Sequence, residues 1–314
     1  MRRFLCKCLL LTLIVSGVLV AAGQAYKQTT TYRNLEITEE TEKYQHLPET
    51  LQFAVFGTSH GRDAFPFCLE EDGAFNFSMS SQTPAYDWRI MMEFQDRFQP
   101  GAIVVLCVDY FSPYFMETPE RFELKQERYY RLLSPRNIID VNLSHWALQK
   151  ISPVLTTSVQ SVGAAFLNPV ALQESNSELQ VSISELESEK AQIVRDHWGL
   201  IEGIFPEVNP DMWNAYHEML SLCQEKGWRA VLVTPPVLAD YNTCFPDGFY
   251  EEFCRRIETL CSDYDISWLD YSHDSTFSEA YEYFKNIDHL NTEGAKVFGR
   301  MFREDLEALG IIAK

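Results

Sequence analysis

The feature that most constrains the fold is a near-continuous apolar run over residues 102–108. A strand that is apolar along its whole length is typical of a parallel sheet with helices on both faces, because a strand with one solvated face alternates between apolar and polar residues. Further apolar runs of strand length occur along the chain, at residues 51–56, 74–78, 230–234 and 266–270. The chain therefore predicts five strands in one parallel sheet.

Segments with apolar residues at helical spacing separate several of these runs and follow the last one. They cover residues 86–98, 210–226, 248–264 and 292–309. This alternation predicts an α/β fold in which helices cover both faces of the sheet. In such sheets, ligands bind at the carboxyl ends of the strands. That rule selects the residues that follow each strand, which are Ser59, residues 76–80, Asp109, Pro235 and Asp270.

The rest of the chain divides by composition. Residues 1–25 are a basic and then apolar leader, residues 26–48 are a polar lead-in rich in threonine and glutamate, and residues 49–314 form the main domain. Within that domain, residues 111–200 interrupt the rhythm of strands and helices. We interpret them as a mostly helical insertion, and the lead-in as either a stalk or a loosely packed segment.

The leader carries Arg2, Arg3 and Lys7 ahead of an apolar stretch over residues 9–22. This stretch fits the apolar core of a signal peptide, and snorkelling of Lys7 would extend it to the span of a membrane anchor. Both interpretations predict export, with membrane contact through the N-terminus only. The net charge of −19 argues against a nucleic-acid partner and against adhesion to anionic lipid through a basic surface.

Two smaller motifs lie inside the insertion, and each has two interpretations. The basic-aromatic patch over residues 121–131 is either a packing helix or a surface that binds a glycan or an anionic polymer by stacking and salt bridges. The tripeptide Arg195-Asp196-His197 is either a solvated helix face or a contact for an acyl acceptor. We favour the packing helix and the solvated face.

A serine near the start of the main domain and a histidine near its end are the candidates for chemistry. Ser59 lies on a glycine-flanked turn after the first strand, where the N–H groups of Ser59 and His60 can stabilise an oxyanion. Thr58 and Ser59 would equally well cap a helix and do nothing else. His60 is a poor base for Ser59, because adjacent side chains on a turn point in different directions. His289, in a loop after the fifth strand, is the better candidate base.

Three segments resemble the SGNH-hydrolase superfamily, whose members are also called GDSL-like: Gly57-Thr58-Ser59-His60-Gly61, Asn76-Phe77-Ser78 and Asp288-His289-Leu290-Asn291-x-x-Gly294-Ala295. The match points to the membrane-anchored branch that includes the lipoteichoic-acid D-alanylation proteins and the polysaccharide O-acetylation proteins. The resemblance implies a flavodoxin-like three-layer α/β/α sandwich, with Ser59 as nucleophile and His289 as base. It also implies an acylated substrate and allows a membrane acyltransferase as partner. We expect no organic cofactor, and no metal because Cys and His residues lack zinc-site spacing.

The third member of a catalytic triad is left open by the sequence. The family's acid stands three residues before the histidine, where this chain has Asn286, and an amide cannot balance the charge of an imidazolium. Asp288 is a second candidate, although its place next to His289 makes contact with Nδ1 awkward, and Asp270 is a third. The family's glycine-x-asparagine-aspartate block is also missing. Candidates to complete an oxyanion hole or contact substrate are therefore His60, Asn76, Ser80 and Asp109.

These features predict an extracytoplasmic serine esterase or O-acyltransferase that acts on a cell-surface glycan or polymer. Ser59 would form an acyl-enzyme, and either water or a sugar hydroxyl would accept the acyl group. The alternative is an accessory or carbohydrate-binding protein that keeps the fold and has lost the triad. Asn286 is the residue that favours this alternative.

Overall fold

The five predicted strands form one parallel sheet in the order β2-β1-β3-β4-β5. The strands of this sheet are β1 (Leu51–Phe56), β2 (Ala74–Asn76), β3 (Phe98–Cys107), β4 (Arg229–Thr234) and β5 (Ser267–Asp270). Every neighbouring pair runs parallel. This strand order is the flavodoxin-like one, and the helices that flank the sheet complete a three-layer sandwich. The predicted fold class is confirmed.

The computed structural model describes residues 1–33, 35–66, 72–114, 119–168, 181, 183–198 and 208–313. Two compact units share these residues. The helical unit contains residues 1–33, 35–46 and 119–168, and the sheet unit contains the remainder. A separate antiparallel pair, β6 (Phe284–Asn286) and β7 (His289–Leu290), belongs to the sheet unit.

The α-helices of the described residues are numbered along the chain. They are α1 (Arg2–Lys27), α2 (Thr30–Arg33), α3 (Glu36–Glu42), α4 (Ser59–Ala64), α5 (Pro84–Phe94), α6 (Pro119–Leu132), α7 (Leu143–Ile151), α8 (Val159–Leu167), α9 (Leu186–Ile193), α10 (Pro210–Lys226), α11 (Ala239–Asn242), α12 (Phe249–Tyr264) and α13 (Thr292–Ala308). A short π-helical turn, Val194–Trp198, follows α9.

The largest difference from the predicted strand boundaries is at the start of β3. Strand β3 begins at Phe98, ahead of Pro100-Gly101, which the sequence places between a helix and a strand. Phe98 pairs with Leu51, and the register then shifts before the next pair forms. The irregularity accommodates proline, which cannot donate a ladder hydrogen bond, and Gly101, whose φ is +77°.

Helix α1 covers the leader and extends beyond the predicted apolar core. Its most apolar window of 18 residues has a mean hydropathy of 2.4, and none of that window is buried. A helix rises about 1.5 Å per residue, so α1 has the length to cross a bilayer of about 30 Å. This length and composition suit a signal sequence and a membrane anchor alike.

The lead-in is neither a stalk nor a loosely packed segment, because it folds together with the first part of the insertion. Arg128 of α6 donates to Glu40 of α3 at 2.9 Å, and both side chains are buried. Arg131 donates to Thr38 at 3.0 Å and stacks on Tyr32. The described part of the basic-aromatic patch is therefore a packing helix. The side chains of residues 121–125, at its other end, lie outside the described residues.

Candidate active site

The turn between β1 and α4 is built to present Ser59. Gly57 has a φ of +151°, and a Cβ there would lie 2.6 Å from the Cβ of Cys107, so only glycine fits. Thr58 is the N-cap of α4, and its Oγ1 accepts from the N–H of His60 at 3.2 Å. Ser59 follows as the first helical residue and is half-buried. Capping and presentation of the serine therefore occur together, with Thr58 as the cap.

The hairpin of β6 and β7 is built to present His289. The side-chain oxygen of Asn286 accepts from the backbone N–H of His289 at 2.9 Å, which closes the turn between the two strands. The same oxygen lies 3.1 Å from the Nδ1 of His289. Asn286 thus holds both the backbone and the ring of the histidine, but it carries no charge.

Ser59, His289 and Asp288 form one continuous line of hydrogen bonds. The Oγ of Ser59 is 2.8 Å from the Nε2 of His289, and the Nδ1 of His289 is 2.8 Å from Oδ1 of Asp288. Because both partners of Nδ1 are acceptors, Nδ1 carries the proton and Nε2 accepts from the serine hydroxyl. The expected difficulty in reaching Nδ1 from Asp288 is absent, because the turn capped by Asn286 curls the carboxylate back towards the ring.

The line of hydrogen bonds continues inward from Asp288. Its Oδ2 lies 3.1 Å from the Nε2 of His60, and the Nδ1 of His60 lies 2.9 Å from Oδ1 of Asp109. The Oδ2 of Asp109 accepts in turn from the hydroxyl of Thr58 at 2.5 Å. His60, Asp109 and Asp288 are all buried. The two histidines are therefore linked through one shared carboxylate.

The ionisation states of His60, Asp109 and Asp288 depend on one another. Burial alone would lower the pKa of His60, but Asp109 and Asp288 outweigh it and raise the pKa to about 10. Burial likewise opposes ionisation of Asp288, yet His289 and His60 hold its pKa well below the usual range. The pKa of Asp109 is lowered against the same burial cost, chiefly by His60. At neutral pH the interior of the network is thus a cation between two carboxylates.

A second set of ion pairs holds the two presenting elements together. Asp63, on the same helix as Ser59, accepts from the Nε of Arg62 at 2.9 Å and pairs with Lys285 of β6 at 2.6 Å. Burial would raise the pKa of Asp63, but Arg62, His289 and Lys285 lower it to about 2. The contact with Lys285 ties the helix of the serine to the hairpin of the histidine.

Several residues that the sequence selects for the oxyanion hole serve other purposes. The side chain of Asn76 donates to the carbonyl of Gly61 at 3.0 Å and accepts from the N–H of Ser78 at 2.9 Å, so it braces the loop. The side chains of His60 and Asp109 face each other, and the N–H of His60 is bonded to the cap. Ser80 lies half-buried in the loop after β2.

Asp270, the third candidate acid, is committed elsewhere. Its Oδ2 accepts from the hydroxyl of Tyr250 at 2.7 Å, and its Oδ1 accepts from the backbone and side chain of Ser272 at 2.9 Å and 2.7 Å. Of the three carboxylate or amide candidates, Asp288 and Asn286 contact His289, and only Asp288 brings a charge.

His197 is a neighbour of the site that the sequence places on a solvated helix face. Its ring lies 4.4 Å from that of Phe111, and its Nε2 is 3.8 Å from Oδ2 of Asp288. Its Nδ1 lies 3.1 Å from the hydroxyl of Tyr241. Burial lowers its pKa to about 4, so the ring is neutral. The tripeptide that contains His197 stands out in the sequence, but nothing there shows that its ring is packed against the network, because a π-helical turn has no periodicity of its own in the sequence.

Side chains of metal-ligating type also meet here. Ligand atoms of His60, Asp288 and His289 lie within 4.8 Å of one another. Each ring nitrogen of both histidines, however, already contacts a carboxylate, an amide oxygen or the serine hydroxyl. Metal binding would need a nitrogen lone pair on each ring turned towards the ion. The cluster is therefore arranged as a hydrogen-bond network rather than as a cation site.

Comparisons with known proteins add distant likeness to solved structures alone. No protein-family model and no curated protein matches the chain. Among solved structures, the chain is similar to a Bacteroides fragilis NCTC 9343 protein described as a candidate acylhydrolase. The two chains are 13% identical, 86% of this chain and 94% of that chain are covered, and the TM-score is 0.41. At such low identity, activity has to be argued from the site itself.

Proposed function

We infer that the chain is a serine esterase or O-acyltransferase in which Ser59 is the nucleophile, His289 the general base and Asp288 the acid that orients and balances it. The observation that carries this proposal is the 2.8 Å contact of Ser59 Oγ with His289 Nε2, continued by the 2.8 Å contact of Nδ1 with Asp288. A nucleophile bonded to a base that is itself oriented by a third group is the arrangement that acyl transfer through serine requires.

The reaction has two halves. Nε2 of His289 takes the hydroxyl proton as Ser59 Oγ bonds to the ester carbonyl carbon, and the tetrahedral adduct expels the alcohol, which receives that proton. Water or another hydroxyl then gives its proton to Nε2 and attacks the acyl-serine. The Ser59 ester bond breaks, the proton returns to Oγ, and an acid or a new ester leaves. Asp288 stays ionised throughout and stabilises the imidazolium.

For the substrate we propose an acylated glycan or polymer at the cell surface, with the sheet unit on the outer side of the membrane. Helix α1 supports the placement on the outer side, because its basic residues Arg3 and Lys7 precede its apolar stretch. Basic residues remain on the cytoplasmic side of a spanning helix, which directs the rest of the chain outward. Protease added to intact cells should then digest the sheet unit of the full-length chain, whereas protection until lysis would contradict this placement.

Labelling with a fluorophosphonate tests the catalytic proposal. The probe should modify the wild-type protein covalently, and Ser59→Ala should lower labelling to background. Ser221→Ala is the matched control, because Ser221 is an exposed serine that contacts Tyr264 and lies outside the network. The control should label at the wild-type rate. Absence of labelling in folded wild-type protein would instead favour a non-catalytic accessory or carbohydrate-binding protein.

A further inference from the structure

His60 has a hydrogen-bond pattern that a neutral histidine cannot make. Its two ring nitrogens face one carboxylate oxygen each, at 2.9 Å and 3.1 Å. A neutral imidazole has one N–H donor and one lone pair, and a carboxylate oxygen can only accept. Two carboxylate partners therefore require two N–H donors, so the geometry itself calls for an imidazolium.

We propose that His60 is a positioning residue, an imidazolium held between Asp109 and Asp288 that fixes the Asp288 carboxylate so that its other oxygen faces His289. This inference rests on the proposed function and adds to it a chain of contacts from Asp109 through His60 to Asp288. We call this chain the relay, and it makes no direct contact with substrate. Asp288 has one oxygen on each histidine, and its bond to His60 removes the freedom to rotate away from His289. Asn286 could not take over this task, because its oxygen brings no charge.

The far end of the relay is equally well fixed. Asp109 lies two residues after the end of β3, and its Oδ2 accepts from Thr58, the cap of the helix that carries both Ser59 and His60. Ser112 adds a second hydroxyl at 3.3 Å from the same oxygen. Asp109 thus has one oxygen for the hydroxyl groups and one for His60. The fixed point of the relay is therefore the same turn that presents the nucleophile.

The charge of His60 is set by the two carboxylates rather than by the other titratable groups around it. The rings of His197, Tyr241 and His289 lie 5.9, 6.1 and 4.7 Å from the ring of His60. His197, with a pKa lowered to about 4, is neutral, and burial raises the pKa of the Tyr241 hydroxyl far above its usual range. Asp109 is the larger of the influences that raise the pKa of His60 to about 10. Removing the charge of Asp109 should therefore lower the pKa of His60.

The test is the substitution Asp109→Asn, which is isosteric and contacts none of the reacting atoms. With p-nitrophenyl acetate as substrate, kcat should fall about 10-fold while KM is unchanged, as expected when an orienting partner of a catalytic group is weakened. In the wild type, kcat should decline as the pH passes about 10, where His60 loses its proton. In Asp109→Asn that decline should move roughly one to three pH units lower. A residue with a merely structural role would lower stability without moving the pH profile.

The matched control is Asp270→Asn, another carboxylate at the carboxyl end of a strand, with partners outside the relay. Its kcat and pH profile should be those of the wild type. If Asp109→Asn also keeps the wild-type kcat and pH profile while the wild type is active, the relay is refuted and the proposed function is not. If folded wild-type protein neither turns over substrate nor reacts with a fluorophosphonate, the proposed function itself fails.

A measurement without catalysis covers the case in which Asp109→Asn does not fold. In Ser59→Ala protein with labelled histidines, nitrogen NMR at pH 8 should show both ring nitrogens of His60 protonated. The variant His60→Gln keeps an amide donor but cannot become a cation. Its kcat should be lower than that of the wild type, and it should show no decline near pH 10. A single protonated ring nitrogen at pH 8 would overturn the proposal.

Discussion

Each unit of the protein contains a cluster of buried charged side chains, and the two clusters differ in the residues to which they connect. In the helical unit, Arg128 pairs with Glu40 at 2.9 Å and donates to the hydroxyl of Tyr129 at 2.7 Å. In the sheet unit, His60 lies between Asp109 and Asp288 at 2.9 Å and 3.1 Å. Arg128 and His60 are 0% and 4% exposed, so both cations depend on buried partners. Burial and pairing by themselves do not distinguish a structural cluster from a functional one.

The difference lies in what each cluster is connected to. The partners of Arg128 named here are a buried glutamate and a buried tyrosine, and its pair with Glu40 joins α3 to α6. The cluster around His60 continues through Asp288 and His289 to Ser59, a half-buried residue on a turn. A buried cation whose partners lead to an accessible nucleophile can affect chemistry, whereas one whose partners are all internal can only affect stability. Each prediction below separates these two kinds of cluster.

The largest effect is expected for Asp288→Asn. The substitution keeps the shape of the side chain but removes the charge that stabilises a protonated His289, and comparable changes in triads lower kcat by roughly 10³-fold or more. The rate of fluorophosphonate labelling of folded protein measures the effect. Asp270→Asn serves again as the isosteric control and should label normally.

Arg128→Met should show the opposite pattern. It leaves Glu40 buried without its cation, and removing one partner of a buried pair costs about 3–5 kcal/mol of unfolding free energy. Urea unfolding should detect that loss, while the folded variant should label at the wild-type rate. The double variant Arg128→Met with Glu40→Met should recover much of the stability, because an apolar pair can replace a buried ion pair. A large loss of labelling in the folded single variant would break the comparison.

A smaller effect is expected for Asn286→Ala. The variant loses the two contacts of the amide oxygen with His289, at 2.9 Å and 3.1 Å, but keeps the charge of Asp288. The loss of a neutral hydrogen bond is worth about 0.5–1.5 kcal/mol, which corresponds to a labelling rate roughly 2- to 12-fold lower. A loss as large as that of Asp288→Asn would show that residue 286 carries the role of the acid.

A pH dependence of stability is expected for only one of the two clusters. The folded-state pKa of His60, about 10, lies above its ordinary value, so its contribution is complete below about pH 6.5 and is lost as the pH rises through about 10. Arg128 has a raised pKa and stays charged throughout. Chemical denaturation between pH 7.5 and 10 should show a falling unfolding free energy in the wild type and Arg128→Met. A fall equally steep in His60→Gln would assign the slope to other groups.

Much of the sheet unit is predictable from local sequence. Buried parallel strands carry apolar side chains on both faces, so β1, β3 and β4 are visible as apolar runs. The rule that ligands bind at the carboxyl ends of strands selects Ser59 and Asp109 without any knowledge of side-chain geometry. Helix α10 has the predicted bounds, with Asn209 as its cap and Gly227 in the left-handed conformation at its end.

The connections within the site are not predictable in this way. His60 contacts carboxylates that are 49 and 228 residues away in the sequence, and side-chain directions in the folded protein decide both contacts. The contact between the neighbours Asp288 and His289 depends on the capped turn, which extended backbone geometry does not suggest. The contact of the lead-in with α6 through Glu40 and Arg128 cannot be predicted from the sequence either. The composition of the lead-in resembles that of a solvated stalk.

The measurement that tests the account most directly is the fluorophosphonate labelling rate of three folded proteins: wild type, Asp288→Asn, and Asp288→Asn combined with Asn286→Asp. If Asp288 is the charged partner of His289, the single variant loses roughly 10³-fold in rate. The second substitution should restore part of it, because it places a carboxylate where an amide oxygen now lies 3.1 Å from Nδ1. A wild-type rate in Asp288→Asn would contradict the account.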